Sequence, residues 1–156
     1  MTRRSATAVL LVLAFATHTA AADRARLVVV VVKGSGLTNI SKDDLKHCFL
    51  GDPVEGGGKT LAPFNAESKT ATRAGFDRAI LGMSPDEVGR FWTDRRVRGQ
   101  AAAPRALPSV MHMQKVVAKF PGAIGYIPAD QLTSDLQPVN VDGIAYTDST
   151  YSIFAE

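Results

Sequence analysis

Six consecutive apolar residues, Leu27-Val28-Val29-Val30-Val31-Val32, limit the folds open to this chain more than any other feature. The branched valine side chains are stiff at χ1, which disfavours helix and suits an extended strand. Because the apolar residues are continuous rather than alternating, both faces of the strand must be covered, as in an α/β sheet. Lys33-Gly34-Ser35-Gly36 ends the run. Its Gly-x-Gly lacks the third glycine of a dinucleotide fingerprint and the Lys-Ser/Thr of a P-loop, and reads as a turn.

Helix signals follow. Ser41 is an N-cap with Asp44 at N3, a capping-box variant, and Ile40 and Leu45 take the hydrophobic-staple positions. Leu45, Cys48 and Phe49 then make one apolar stripe, and Gly51-Asp52-Pro53 stops the helix. Residues 55–58 read as a flexible loop. Residues 60–65 read as a short strand, with Pro63 pointing to an edge or a strand end. A helix capped by Ser68 or Thr70 runs to about Leu81 on a stripe of Phe76, Ala79 and Ile80, and Gly82 closes it.

Ser84-Pro85-Asp86-Glu87 is the sharpest local signal: Ser at N-cap, Pro at N1, Glu at N3. The stripe behind it is Val88, Phe91 and Trp92, with Met83 and Val88 as the staple. Ser109 opens another helix, with Val110, Met113, Val116, Val117 and Phe120 on one face. Residues 123–127 read as a buried strand with a close backbone approach at Gly125. Residues 139–146 read as a last strand or hairpin turning at Asp142-Gly143. Strands alternating with helices predict an α/β domain with a mixed or mostly parallel sheet.

Residues 1–22 carry the marks of a cleavable export signal. Arg3 and Arg4 precede a short apolar run, residues 8–16, and Ala20 and Ala22 have the Ala-x-Ala spacing of a cleavage site. That run is about half the roughly 20 residues that cross a bilayer. The expectation is a periplasmic or secreted product of one domain, residues 23–156, with no membrane anchor. Without the signal the formal charge falls from +3 to +1, so the basic pI argues little for nucleic acid. The Arg90, Arg95, Arg96 and Arg98 group beside Trp92 reads as a solvated face or a grip on an anion or an acidic partner. Cys48, the single cysteine, reads as a small buried apolar residue, which leaves no intramolecular disulfide and no multi-cysteine metal site.

The enzyme case is thin. Beyond the signal only His47 and His112 remain, and HExxH and Gly-x-Ser-x-Gly are both missing. No catalytic residue, cofactor or metal is expected. The candidate binding segment is residues 65–73, where hydroxyls and cations stand at the start of a helix just past a strand. Free N–H groups and a partial positive charge make such a place suited to an anion. Ser68, Thr70 and Thr72 can add hydroxyls, Lys69 a charge, and Arg73 a fork that fits phosphate or sulfate oxygens. Ordinary capping with a solvated Lys69 and Arg73 accounts for the same residues, and Glu67 opposes an anion.

The order of motifs resembles a known family. Ser41-Lys42-Asp43-Asp44-Leu45-Lys46-His47-Cys48-Phe49-Leu50-Gly51 is similar to a segment of the phosphate-binding proteins of phosphate ABC transporters. Residues 63–76 fall where that family carries an anion loop, R-x-x-x-S-G-T-x-x-x-F. Phe91-Trp92 matches an aromatic-Trp pair of short relatives. Residues 115–128, with Phe120-Pro121-Gly122-Ala123-Ile124-Gly125-Tyr126-Ile127, resemble the family's "V…tpGaIGYv" strand. The resemblance spans about residues 27–130. It implies a single lobe of a type 2 periplasmic-binding-protein-like fold, a mixed sheet flanked by helices. It also implies a solute-binding role in phosphate uptake, with a small oxyanion as ligand and a membrane transporter or envelope protein as partner. Ser68, Thr70 and Arg73 carry over by position, and Lys69 replaces the motif's glycine. Complete members have two lobes and about twice this length. The alternative is therefore a ligand-free interaction module of the cell envelope built on one lobe.

Overall fold

The computed structural model describes residues 24–156, so the expected export signal, residues 1–22, lies outside the described residues. The apolar run forms strand β1 (Leu27–Val32), a central strand of a six-stranded sheet. Its neighbours are β7 (Ala123–Pro128) and β8 (Leu136–Val141), both antiparallel to it, with Val29 opposite Tyr126 on one side and Val139 on the other. β2 (Asn39–Ile40) extends the sheet beyond β8, and β5 (Ala62–Ala66) and β6 (Arg105–Leu107) extend it beyond β7, all in parallel pairs. The strand order is β2-β8-β1-β7-β5-β6, and β1 alone among these six runs against the rest.

Both faces of β1 are covered, as its sequence requires. Leu27, Val29 and Val31 join a core made by α1 (Lys42–Phe49), α2 (Ala71–Phe76) and α3 (Pro85–Val97). Val28 and Val30 join a second core against α4 (Val110–Lys119), which supplies Met113 and Val117. Gly125 is where α4 comes closest to the sheet: a Cβ there would stand 2.4 Å from Met113 Sδ. On the other face Phe76 stacks on Tyr126, ring centroids 3.7 Å apart, with Phe49 tilted against both.

The helix caps follow the sequence. Ser41, Ser84 and Ser109 are N-caps, and Ser84 and Glu87 close a full capping box. Cys48 is buried on the core face of α1, and burial pushes its thiol up from 9.0 to about 12.

Several expectations are corrected. Residues 55–58 are not a loose loop: β3 (Glu55–Gly56) and β4 (Lys59–Thr60) form a small hairpin whose turn, Gly57-Gly58, lies at positive φ. Of the two readings of Pro63 the edge fails, because β5 is an inner strand, and the strand end holds, because Pro63 lies near its start and outside the stretch paired with β6. The helix expected to run to Leu81 changes character midway. α2 ends at Phe76 and continues as a π-helical turn, Asp77–Leu81, closed by Gly82. Thr70, rather than Ser68, is its cap. Phe120 leaves the apolar face of α4, because its extended φ and ψ end the helix there, and it is 59% exposed. Phe91 is only half-buried.

The last residues matter more than their pattern suggested. Tyr151 and Ile153 are buried, the Leu27 amide donates to the Ile153 carbonyl, and the Tyr151 hydroxyl donates to the Leu27 carbonyl. The Glu156 amide then donates to the Ala71 carbonyl at the head of α2.

Two outcomes are expected. Gly125→Ala should destabilise the protein by about 1–3 kcal/mol in urea unfolding, because the added methyl overpacks a closed contact. Cys48 in the folded chain at pH 8 should react with a thiol reagent at least about a hundredfold more slowly than in the unfolded chain, since its thiolate is scarce and covered.

Candidate functional site

At the carboxyl ends of β5 and β6 the sheet opens into a cavity of about 120 Å³. Ala66 and Glu67 bring β5 to it, Leu107 and Pro108 bring β6, and Tyr126 reaches it from β7. In open α/β sheets this edge is where ligands bind, since the loops leaving the strands diverge there. Two helices start at the cavity. Thr70 and Thr72 line it from the head of α2, and Ser109 and Val110 from the head of α4.

Each helix start has the same construction. The Thr70 hydroxyl accepts from the Arg73 amide at 3.2 Å and donates to the Glu67 carbonyl at 2.8 Å. Ser109 Oγ accepts from the His112 amide at 3.3 Å and lies 2.8 Å from His112 Nδ1. The caps thus serve the third amide of each helix. The amides of residues 71, 72, 110 and 111 have no carbonyl one turn earlier within their helices, and they concentrate partial positive charge at the cavity.

The candidate residues divide into three groups. Thr70 and Thr72 line the cavity. Ser68 and Lys69 form the exposed turn between Glu67 and Thr70, both of which line it. Arg73 is turned inward and is 8% exposed. Its Nε donates to Asp77 Oδ2 at 2.7 Å and one Nη to the Ala66 carbonyl at 3.2 Å. Burial pushes the Asp77 carboxyl up while the Arg73 charge pulls it down, and the net direction is upward. Asp77 Oδ1 is buried with no hydrogen-bond partner among the described residues.

Behind the cavity the Tyr126 hydroxyl donates to Asn65 Oδ1 at 3.1 Å and accepts from the Ala66 amide at 3.2 Å. Burial pushes this phenol up, with Arg73 opposing. Four residues before Ser68, where the family motif has arginine, stands Phe64. It lines a separate groove with Leu107, Pro108, Val116 and Phe120, so cationic charge on this loop rests with Lys69 and Arg73.

In the sequence Ser109 reads as a cap alone and Tyr126 as a buried strand residue. Both line the cavity, because β5, β6 and β7 are adjacent in the sheet but distant in sequence. The other candidates do not converge. His47 Nδ1 meets Asp52 at 2.8 Å on an exposed surface, and His112 faces the groove without a carboxylate. Arg95 donates to the Leu50 carbonyl and lies over the Phe91 and Trp92 rings, Arg98 pairs with Asp94, and Trp92 is buried, which removes its face from stacking with a base. Among the described residues no group of three or more His, Cys, Asp or Glu is placed to hold a metal ion.

The described residues form a mixed sheet flanked by helices, with a cavity at the strand ends. Solved structures share this fold. An ABC-type phosphate transport receptor from Vibrio cholerae superposes with a TM-score of 0.65 at 16% identity, over 83% of this chain and 53% of that one. A putative phosphate ABC transporter substrate-binding protein with bound phosphate from Clostridium perfringens gives 0.63 at 17% identity, over 79% and 47%. PstS from Borrelia burgdorferi gives 0.63 at 16%, over 85% and 55%. The chain thus spans about half the length of these proteins, and at such identities the likeness is one of fold. No protein-family model matches the chain, and no curated protein does. No helix among the described residues is long and apolar enough to cross a membrane.

Thr70→Ala should lower stability by about 0.5–2 kcal/mol in thermal or urea unfolding, the usual loss for an N-cap hydroxyl.

Proposed function

We propose that this chain is an exported solute-binding-like protein whose cavity takes a small oxyanion, inorganic phosphate first, in connection with uptake by an ABC transporter. The observation that carries the reading is the convergence of two helix starts on one cavity at the ends of parallel strands. The amides of residues 71, 72, 110 and 111, which have no carbonyl partner within their helices, are the donors offered to an anion in the cavity. Thr72 and Ser109 add hydroxyls at the wall. Ser68 and Lys69 stand on the turn over the mouth, where Lys69 supplies charge and offsets Glu67. Thr70 shapes the turn, and Arg73 sits beneath it. The chemistry proposed is binding without catalysis. The fold likeness to phosphate-transport proteins supports phosphate over other anions, and Lys69 in place of the motif's glycine adds bulk while restoring the charge that Phe64 removes from the arginine position. The export signal in residues 1–22 fits a periplasmic or secreted location for residues 23–156.

Isothermal calorimetry with phosphate and with sulfate tests this. Phosphate should bind at millimolar concentration or below, more weakly as salt is raised, because exposed charges are screened. Lys69→Ala should weaken binding by about tenfold, as loss of one charge-assisted hydrogen bond does. Absence of heat with either anion at millimolar levels would reject the reading.

A specific observation favours a second reading, an envelope interaction module without ligand. The groove of about 470 Å³ beside the open edge of β6 is mostly apolar, with the half-exposed Phe120 ring at its rim. Concentration-dependent association abolished by Phe120→Ser, together with no anion binding, would establish it instead.

A further inference from the structure

We infer that Arg73, Asp77 and Tyr126 are positioning residues that clamp Ala66 and so set the shape of the 67–70 turn, with Arg73 acting through the backbone rather than as a direct anion ligand. The inference rests on the oxyanion reading for the purpose of the site, while the clamp itself rests on geometry alone.

Ala66 is the last residue of β5 before the chain leaves the sheet. Both of its backbone polar groups are held by side chains from other elements. Its amide donates to the Tyr126 hydroxyl on β7, and its carbonyl accepts from Arg73 on α2. The two side chains are themselves fixed. Tyr126 is anchored by its bond to Asn65 and by its stack on Phe76, and Arg73 by its 2.7 Å bond to Asp77. The next residues, Glu67 to Thr70, are the turn over the cavity, and Thr70 closes it by bonding back to the Glu67 carbonyl. A displacement at Ala66 therefore passes directly into the turn.

The same geometry argues against Arg73 as a ligand. It does not line the cavity, two of its donor nitrogens are engaged by protein oxygens, and the Asp77 carboxylate lies against its charge. Asp77 is buried with one oxygen unpartnered, a costly arrangement whose only ionic partner among the described residues is Arg73. It opens the π-helical turn, a feature that recurs at functional sites.

Asp77→Asn discriminates the two roles by sign. Removing the counter-charge from a ligand arginine should tighten phosphate binding, whereas loosening a clamp should weaken it. Two measurements are made on the full chain: amide hydrogen exchange without ligand, and phosphate affinity per folded molecule across a salt series. We expect Asp77→Asn to speed exchange at residues 66–70 by about tenfold or more, as a local opening would. We expect phosphate affinity to fall by about tenfold with the salt dependence unchanged, since misplacement rather than lost charge is the cause. Lys69→Ala should also weaken binding, but by flattening the salt dependence and without speeding exchange. If Asp77→Asn does not fold, Tyr126→Phe tests the other jaw by the same two readouts. Tighter phosphate binding in Asp77→Asn, or unchanged exchange at 66–70, overturns the inference. If the unaltered chain binds no phosphate, the oxyanion reading fails, and the exchange result alone decides the clamp.

Discussion

β1 must be dry on both faces, and the rest of the architecture answers that requirement. Leu27, Val29 and Val31 point to one core and Val28 and Val30 to the other. Each fully buried side chain of this kind contributes about 1.5–3 kcal/mol relative to exposure, so uncovering either face would remove several such terms at once. Covering both takes α1, α2 and α3 on one side and α4 on the other. With β1 antiparallel between β7 and β8, the parallel strands beyond β7 bring their carboxyl ends to one edge. The helices that follow β5 and β6 must turn back over the sheet on opposite faces, and both begin at that edge. The cavity is the space between their starts.

The site is tied to the core through Tyr126. One face of its ring stacks on Phe76, while its hydroxyl bonds to Asn65 and Ala66 at the end of β5. Arg73 reaches the same residue from the head of α2, and the chain's last residues hold that helix by the bond from Glu156 to Ala71. The turn carrying Ser68 and Lys69 is therefore an exposed loop on a rigid base. A binding loop needs this combination: accessible donors whose positions are fixed from beneath.

What the sequence revealed and what it hid follow from the range of the interactions. The caps at Ser41, Ser84 and Ser109 are local chemistry within four residues and were legible. So were β1 and β7, whose apolar runs declare burial, and the tight approach at Gly125. The turn at Asp142-Gly143 also holds, with Asp142 at φ 53° and Val141 bridged to Ile144. Hidden were features made by distant partners. β6 is three residues long and is a strand only because β5 lies beside it. The hairpin at 55–60 has no apolar pattern, and the tail at 151–156 is ordered by β1 and α2. Arg73 looked like a solvated or anion-facing cation because its partner Asp77 had no visible reason to be buried. The cavity could be half located, from Thr70 and Thr72. Its other half, Ser109 and Tyr126, required the sheet order.

The central claim is that an anion sits between the starts of α2 and α4. A titration of the isotopically labelled chain with phosphate, followed by amide chemical shifts, tests it most directly. The account predicts saturable shifts concentrated at residues 67–73 and 109–112, on both sides of the cavity and at the same apparent affinity. Shifts confined to one helix start, shifts centred elsewhere on the surface, or none at millimolar phosphate would contradict it.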